Sequence, residues 1–241
     1  MLVGSDVFPG FFESISAFYR SAFSDPIIKA QGGGSFGFFP HVIFTFLQLT
    51  AGLLIGIIIG LFSGLIISSS NFLSYLFDPI IEIFRVLPPL LIIPFCTILI
   101  SSSQNLELFI IVLYTSFLIF IYSFNSIQNV PLNYKHLAIF MGENYIGLLL
   151  RIKLPAIVPE LRGSIRITSV MSLGIAVVCE YMVSPTGIGR VFKYSISFSN
   201  VQLIVVGIFW TIIIAFFIDS IIILTFHYLL KWTSRSKHYL N

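Results

Sequence analysis

Five apolar stretches, at about residues 43–67, 80–100, 106–127, 164–183 and 203–230, constrain this chain more than any other feature. A hydrocarbon core about 30 Å thick is crossed by roughly 20 helical residues, and each stretch reaches that length. Their apolar residues run on without alternating, and an open strand edge has no hydrogen-bond partner in lipid, so each stretch is expected to be a helix. Composition agrees: 57% of the 241 residues are hydrophobic and 10% are charged, whereas a soluble domain carries about 25% charge. A soluble enzyme, a disordered chain and a secreted disulfide scaffold are excluded. The expected fold class is all-α, a polytopic transmembrane helix bundle with five spans.

Charge distribution gives the orientation. With five crossings, one side receives segments 1–42, 101–105 and 184–202, whose basic residues are Arg20, Lys29, Arg190 and Lys193. The other side receives 68–79, 128–163 and 231–241, with Lys135, Arg151, Lys153, Arg162, Lys231, Arg235 and Lys237. The richer side is expected to be cytoplasmic. This divides the chain into an external N-terminal segment 1–42, a membrane domain 43–230 carrying a cytoplasmic loop at 131–163, and a cytoplasmic C-terminal tail 231–241. Residues 1–40 have no basic region leading into an apolar one, so a signal peptide is not expected. An external start with nothing ahead of it to begin export implies an upstream helix in the native chain. The net charge of +3 is too thinly spread for nucleic acid.

Within the spans, Gly52, Gly56, Gly60 and Gly64 recur every four residues and form one bare stripe suited to close helix packing, against a partner inside the chain or in another subunit. The second span reads DPIIEIFRVLPPLLIIP. Glu82 and Arg85 are placed to pair on one face, while Pro88, Pro89 and Pro94 predict a kinked or broken helix, either structural or lining a pathway. Glu180 and Asp219 are intramembrane acids and therefore functional candidates. Glu180 is too far from Arg166, about 21 Å along a helix, and has Arg190 or Lys193 within reach, so an ion pair competes with gating. Asp219 has no evident partner on its own helix before Lys231. His41, His227 and His238 sit near span ends, where interfacial positions are expected. Trp232 reads as an interfacial anchor and Trp210 as packing. Gln48, with Thr45, Thr115, Asn125 and Ser172, supplies polar groups for a pathway, or hydroxyls that bond neighbouring helix backbone.

Cys96 and Cys179 lie in apolar runs without C-x-x-C or Cys/His spacing, so no metal site, disulfide framework or cofactor is expected. The sequence holds no Gly-Lys dipeptide and no H-E-x-x-H, which excludes nucleotide hydrolysis through a P-loop and a zinc-hydrolase site.

The loop reads QNVPLNYKHLAIFMGENYIGLLLRIKLPAIVPE. Its apolar residues fit short helices, Gly142 permits a break between them, and Pro155 and Pro159 are expected to end the helical run. His136-Leu137-Ala138, Gly142, Ile152 and Leu154-Pro155 match in spacing, and resemble, the E-A-A-x3-G-x9-I-x-L-P loop of ABC importer permeases. His136 stands where that pattern has glutamate, and Leu137 where it has its first alanine. The resemblance extends to the double-proline second span, to Glu180 followed by Gly187-Ile188-Gly189, and to Asp219, across about residues 40–232. The nitrate, sulfonate and taurine group of binding-protein-dependent permeases is the most similar; it usually has six spans, the first missing here.

The resemblance implies a non-enzymatic permease subunit of the bacterial inner membrane, carrying a small polar solute or anion. Its implied partners are separate ATPase subunits, a second permease subunit, most simply a second copy, and an extracytoplasmic solute-binding protein. A short coupling helix around 137–150 would receive the ATPase. The competing reading is a secondary transporter or channel in which Glu180 and Asp219 carry ions.

Overall fold

A computed structural model describes residues 11–31, 33–68, 70–86, 89–100 and 102–231. All regular structure among them is helical. The elements are α1 (Phe11–Phe23), α2 (Pro26–Ala30), α3 (Phe39–Ile67), α4 (Asn71–Val86), α5 (Pro89–Leu99), α6 (Ser103–Gln128), α7 (Leu132–Phe140), α8 (Tyr145–Gly147), a π-helical turn (Leu148–Lys153), α9 (Leu154–Met182), α10 (Ile188–Ser197) and α11 (Val201–Leu229).

Four helices among the described residues are long and apolar enough to cross a membrane: Phe39–Ile67, Ser103–Gln128, Leu148–Met182 and Val201–Leu229. The second apolar stretch makes the expected count of five approximate. It is carried by two shorter helices, α4 ending at Val86 and α5 beginning at Pro89, about 24 Å and 16 Å long at 1.5 Å per residue. Neither alone matches the lipid thickness. Proline begins α5 at the position where a missing N–H loses no intrahelical bond. Pro88 and the side chains of Glu82, Arg85 and Pro89 lie outside the described residues, as do Trp232 and His238.

The chain divides into two compact units. One comprises Met1–Gly52, Pro89–Ile111 and Ser172–Phe217; the other comprises Leu53–Pro88, Val112–Met171 and Ile218–Asn241. In the first, Ala17, Ile28, Phe38, Val191, Leu203 and Val206 form one core, beside which Trp210 stacks on Phe18 at 4.8 Å between ring centroids. Trp210 is thus a packing residue, as expected. The segment before α3 is folded into this core: Asp25 caps α2 by accepting from the Ile27 and Ile28 N–H groups at 2.9 and 3.2 Å. A second core of this unit joins Ile93, Cys96, Leu106, Ile110 and Cys179, where both cysteines are free and buried.

In the other unit, Leu65, Ile119, Ile127, Ile157, Leu161, Ile165 and Phe226 pack together. The glycine stripe explains how closely α3 approaches α6 here. An added Cβ at Gly56 would overlap Thr115, at Gly60 the Ser116 carbonyl and Ile119, and at Gly64 the Ser123 hydroxyl. The Ser123 hydroxyl contacts the Gly60 carbonyl oxygen at 3.2 Å across the seam. The partner for these three glycines is therefore inside the chain. Gly52 is buried on the same helix, in the first unit.

Pro155 and Pro159 do not end the helical run, contrary to expectation. They lie inside a helix running from Leu148 to Met182. Pro155 occupies the first turn of α9, where it interrupts little, and the wider turn ahead of it, closed by the Leu154 N–H donating to the Leu149 carbonyl, relieves crowding by its ring.

Candidate functional site

The loop identified in the sequence folds as two short helices around a glycine break. α7 closes when the Glu143 N–H donates to the Ala138 carbonyl at 3.0 Å while Gly142 takes φ +71°, a left-handed helix cap that glycine adopts without strain. Asn144 opens the next helix by accepting from the Gly147 N–H at 2.7 Å. Arg151 reaches back to Glu143 at 3.0 Å. A cleft of about 370 Å³ is lined by Gly142, Glu143, Asn144, Ile146, Gly147, Leu150 and Arg151.

The side chains around this break are apolar and uncovered. Phe140 is 91% exposed, with Met141, Ile146 and Leu150 also exposed. Of the loop residues singled out in the sequence, Ala138 is buried, His136 is exposed, and Ile152, Leu154 and Pro155 are half-buried, Leu154 against the core of its unit. The Leu137 side chain lies outside the described residues. Ala138 and Leu154 thus anchor the loop, and Phe140 and Ile146 face outward from it.

A second constellation is buried in the first unit. Glu180 is fully buried, and its hydrogen bonds come from neutral donors: the Thr45 hydroxyl to Oε1 at 2.5 Å and the Gly189 N–H to Oε2 at 2.8 Å. The Ile188 N–H donates to the Thr45 oxygen at 3.0 Å. A carboxyl and a hydroxyl therefore receive the first amides of α10, the end of a helix that attracts negative charge. Gly187 and Gly189 are required by this closeness. A Cβ at Gly187 would collide with the Glu180 carboxyl, one at Gly189 would collide with the Val177 carbonyl, and Gly187 has φ +104°. Arg190, expected as a partner of Glu180, instead bonds the Tyr194 hydroxyl at 2.7 Å.

His41 lies near the start of α3, at a span end, and is buried in the protein rather than solvated, being 2% exposed. Its Nδ1 accepts from the Gly187 N–H at 3.0 Å, so Nε2 carries the hydrogen and donates to the Gly33 carbonyl at 3.1 Å. The ring is thereby fixed as the neutral Nε2–H tautomer. Only the tertiary fold brings residues 33, 41 and 187 together.

In the other unit, Asp219 finds the partner its own helix lacks. Arg166 donates to it through Nε at 2.6 Å and Nη2 at 2.8 Å. Among the remaining pathway candidates, Gln48 makes a long contact to the Gln104 carbonyl at 3.4 Å, Thr115 and Ser172 are buried, and Asn125 is exposed. Many hydroxyls of the spans bond backbone one turn earlier, as Thr50 does to the Phe46 carbonyl and Thr211 to that of Gly207. This is how such groups are satisfied without water. Sequence reading passed over Glu107, a fully buried acid of α6. Its position at the edge of the third apolar stretch was the available signal.

Comparison with known proteins gives a consistent result. The profile of a family described as "binding-protein-dependent transport system inner membrane component" matches residues 52–233. The nitrate import permease protein NrtB of Leptolyngbya laminosa is 27% identical over 165 residues, covering 68% of this chain and 59% of that protein. The putative aliphatic sulfonates transport permease protein SsuC of Bacillus subtilis is 27% identical over 198 residues, 80% of this chain and 70% of the relative. This chain thus spans about three-fifths of the nitrate permease's length. Among solved structures, the MetNI methionine ABC transporter in an inward-facing conformation has a chain of the same fold. Its TM-score is 0.63 at 17% identity, covering 80% of this chain and 94% of that one.

Proposed function

The chain belongs to the family of binding-protein-dependent transport system inner membrane components, and from that membership we propose that it forms the translocation path of an ATP-driven importer for a small anion. It is a multi-pass membrane protein and a transport component of the ABC permease kind. On our reading the work comes from separate ATPase subunits, the solute from an extracytoplasmic binding protein, and the path from two permease subunits, most simply two copies of this chain. Loop 131–163 and the C-terminal tail lie on the cytoplasmic side, in keeping with their basic residues.

The observation that carries this reading is the uncovered apolar cluster at Phe140, Met141, Ile146 and Leu150, raised around the Gly142 cap. A short helix pair with such a face fits a groove on a partner. When the ATPase dimer closes on ATP, its groove moves the loop as a lever and favours one arrangement of the bundle by binding it more tightly. His136 is exposed on this loop, where it meets the ATPase in place of the family glutamate. Nitrate and aliphatic sulfonates, named for the relatives, share the chemistry of a small oxyanion, which supports that substrate class. Against an ion-gradient transporter using Glu180 and Asp219 stand the hydrogen bonds that already occupy both carboxyls.

The test is a Phe140→Ser, Ile146→Ser double variant assayed for co-purification with the ATPase and for ATP-dependent anion uptake in proteoliposomes containing the binding protein. Association and uptake are both expected to fall while the thermal midpoint of the isolated subunit stays in place. Undiminished association and uptake would overturn the reading.

A further inference from the structure

α1 presents two unlike faces. On one, Ala17, Ser21 and Ala22 are buried and Phe18 stacks on Trp210 of α11. On the other, Ser16, Tyr19, Arg20 and Phe23 recur at the three- and four-residue spacing of a single helix face, and all four are exposed, Tyr19 by 72% and Phe23 by 65%. The end of α1 is tied to the start of α3. The Phe38 N–H donates to the Ser21 carbonyl at 3.1 Å, and Gly37, at φ +57°, permits this approach because a Cβ there would strike the same carbonyl oxygen. The Phe23 and Phe39 rings lie 5.9 Å apart between centroids. Phe36 and Phe39, both exposed, extend the aromatic patch, and Phe39 opens a row of exposed apolar residues one turn apart, Phe39, Ile43 and Leu47. All of these residues belong to one compact unit.

The depth of the patch follows from the length of α3. Its 29 residues rise about 43 Å at 1.5 Å per residue. That exceeds the hydrocarbon core and matches a bilayer with its headgroup layers, about 40–45 Å. The first turn of α3 therefore falls in a headgroup layer, and the last turn of α1, bonded to it, lies there too. At that depth an aromatic ring meets acyl chains on one side and polar headgroups on the other. Charge agrees with this setting. Between residues 16 and 41 the charged residues are Arg20, Asp25 and Lys29, and the Asp25 carboxylate is occupied in capping α2. The charges left over are cationic, which complements lipid phosphate, and Arg20 stands on the aromatic face itself.

We propose that Tyr19, Arg20 and Phe23 of α1, with Phe36 and Phe39, form a phospholipid-binding surface at the membrane interface. The rings enter the boundary between headgroups and acyl chains, and the Arg20 guanidinium donates to a lipid phosphate. The patch continues the exposed apolar row of α3, so a lipid seated on one touches the other. Because the buried face of α1 is packed with Val191 of α10 and with Leu203 and Val206 of α11, the bound lipid braces that core from outside. This inference does not depend on the transport reading, nor on which side of the membrane the segment faces.

The full chain in nanodiscs of phosphatidylethanolamine and phosphatidylglycerol tests the placement. Phe23→Trp keeps an aromatic ring at an exposed position, and its emission is read as the difference from wild type, which retains Trp210 and Trp232. Lipids brominated high on the acyl chain are expected to remove most of this added emission, lipids brominated near the chain end less of it, and aqueous iodide little. Tyr19→Trp, on the same face, should behave alike. Strong quenching by iodide with none by brominated lipid would put the face in water and overturn the proposal. Protection from both quenchers would mean that protein, such as a second copy of the chain, covers the face, and would overturn it equally.

The phosphate contact has its own readout. In detergent, added phosphatidylglycerol is expected to raise the thermal midpoint of wild type more than that of Arg20→Gln, and inorganic phosphate is expected to raise neither. Equal rises in the two proteins would overturn the contact with Arg20. A rise produced as well by inorganic phosphate would overturn lipid as its source.

Discussion

Arg166 and Asp219, 53 residues apart in sequence, meet through two parallel hydrogen bonds of 2.6 and 2.8 Å. A planar guanidinium and a carboxylate fit one another in this way, and the match fixes orientation as well as distance. The pair links α9 to α11 within one compact unit and gives each of its two charges a partner.

Arg166→Leu and Asp219→Leu are each expected to lower the yield of folded protein by leaving one charge unpaired in a membrane helix. The double variant should be better folded than either single one. Thermal midpoints of the three variants in detergent check this. A double variant whose loss equals the sum of the two single losses would show that the bonds do not couple the helices.

The glycine seam predicts a graded response to size. Gly60→Ala is expected to be tolerated poorly and Gly60→Val worse, because the added atoms meet the Ser116 carbonyl and Ile119 of α6. Overpacking of this kind costs about 1–3 kcal/mol. Gly163→Ala, where an added Cβ meets nothing within 4 Å, is the control and should be neutral or slightly stabilising in a midpoint assay.

Gly187→Ala is expected to disrupt the start of α10 by two routes. Its φ of +104° disfavours any side chain, a strain of about 1–3 kcal/mol, and the new Cβ strikes the Glu180 carboxyl. Limited proteolysis of the 184–200 segment is the readout, with faster cleavage expected than in wild type. Unchanged protection would mean that Glu180 does not depend on the close approach of this turn.

The Glu143–Arg151 pair gives the opposite prediction. Arg151 is 75% exposed and Glu143 21%, and a surface pair contributes about 0–1 kcal/mol. Glu143→Gln should therefore leave the thermal midpoint nearly unchanged. A large drop would show that this pair holds the loop in place.

The amino-acid sequence by itself determined the fold class, four of the membrane spans, the packing use of Gly56, Gly60 and Gly64, and the break at Gly142. Each rests on local physics: the length of an apolar run against lipid thickness, a repeat that returns to one helix face, and a residue able to take positive φ. The prolines of the second apolar stretch predict its break, and two shorter helices carry it, whereas hydropathy alone counts it as one span. Pro155 and Pro159 do not terminate the helix because a proline's effect depends on its distance from the helix start, and the π-helical turn that lengthens α9 has no sequence signature.

Only the tertiary structure decided the partners. Asp219 meets Arg166, Glu180 meets Thr45 and Gly189, and His41 bridges Gly33 and Gly187. Such pairings depend on which helix faces turn toward each other in space. A periodicity along one helix shows which residues share a face but carries no information about what lies opposite it.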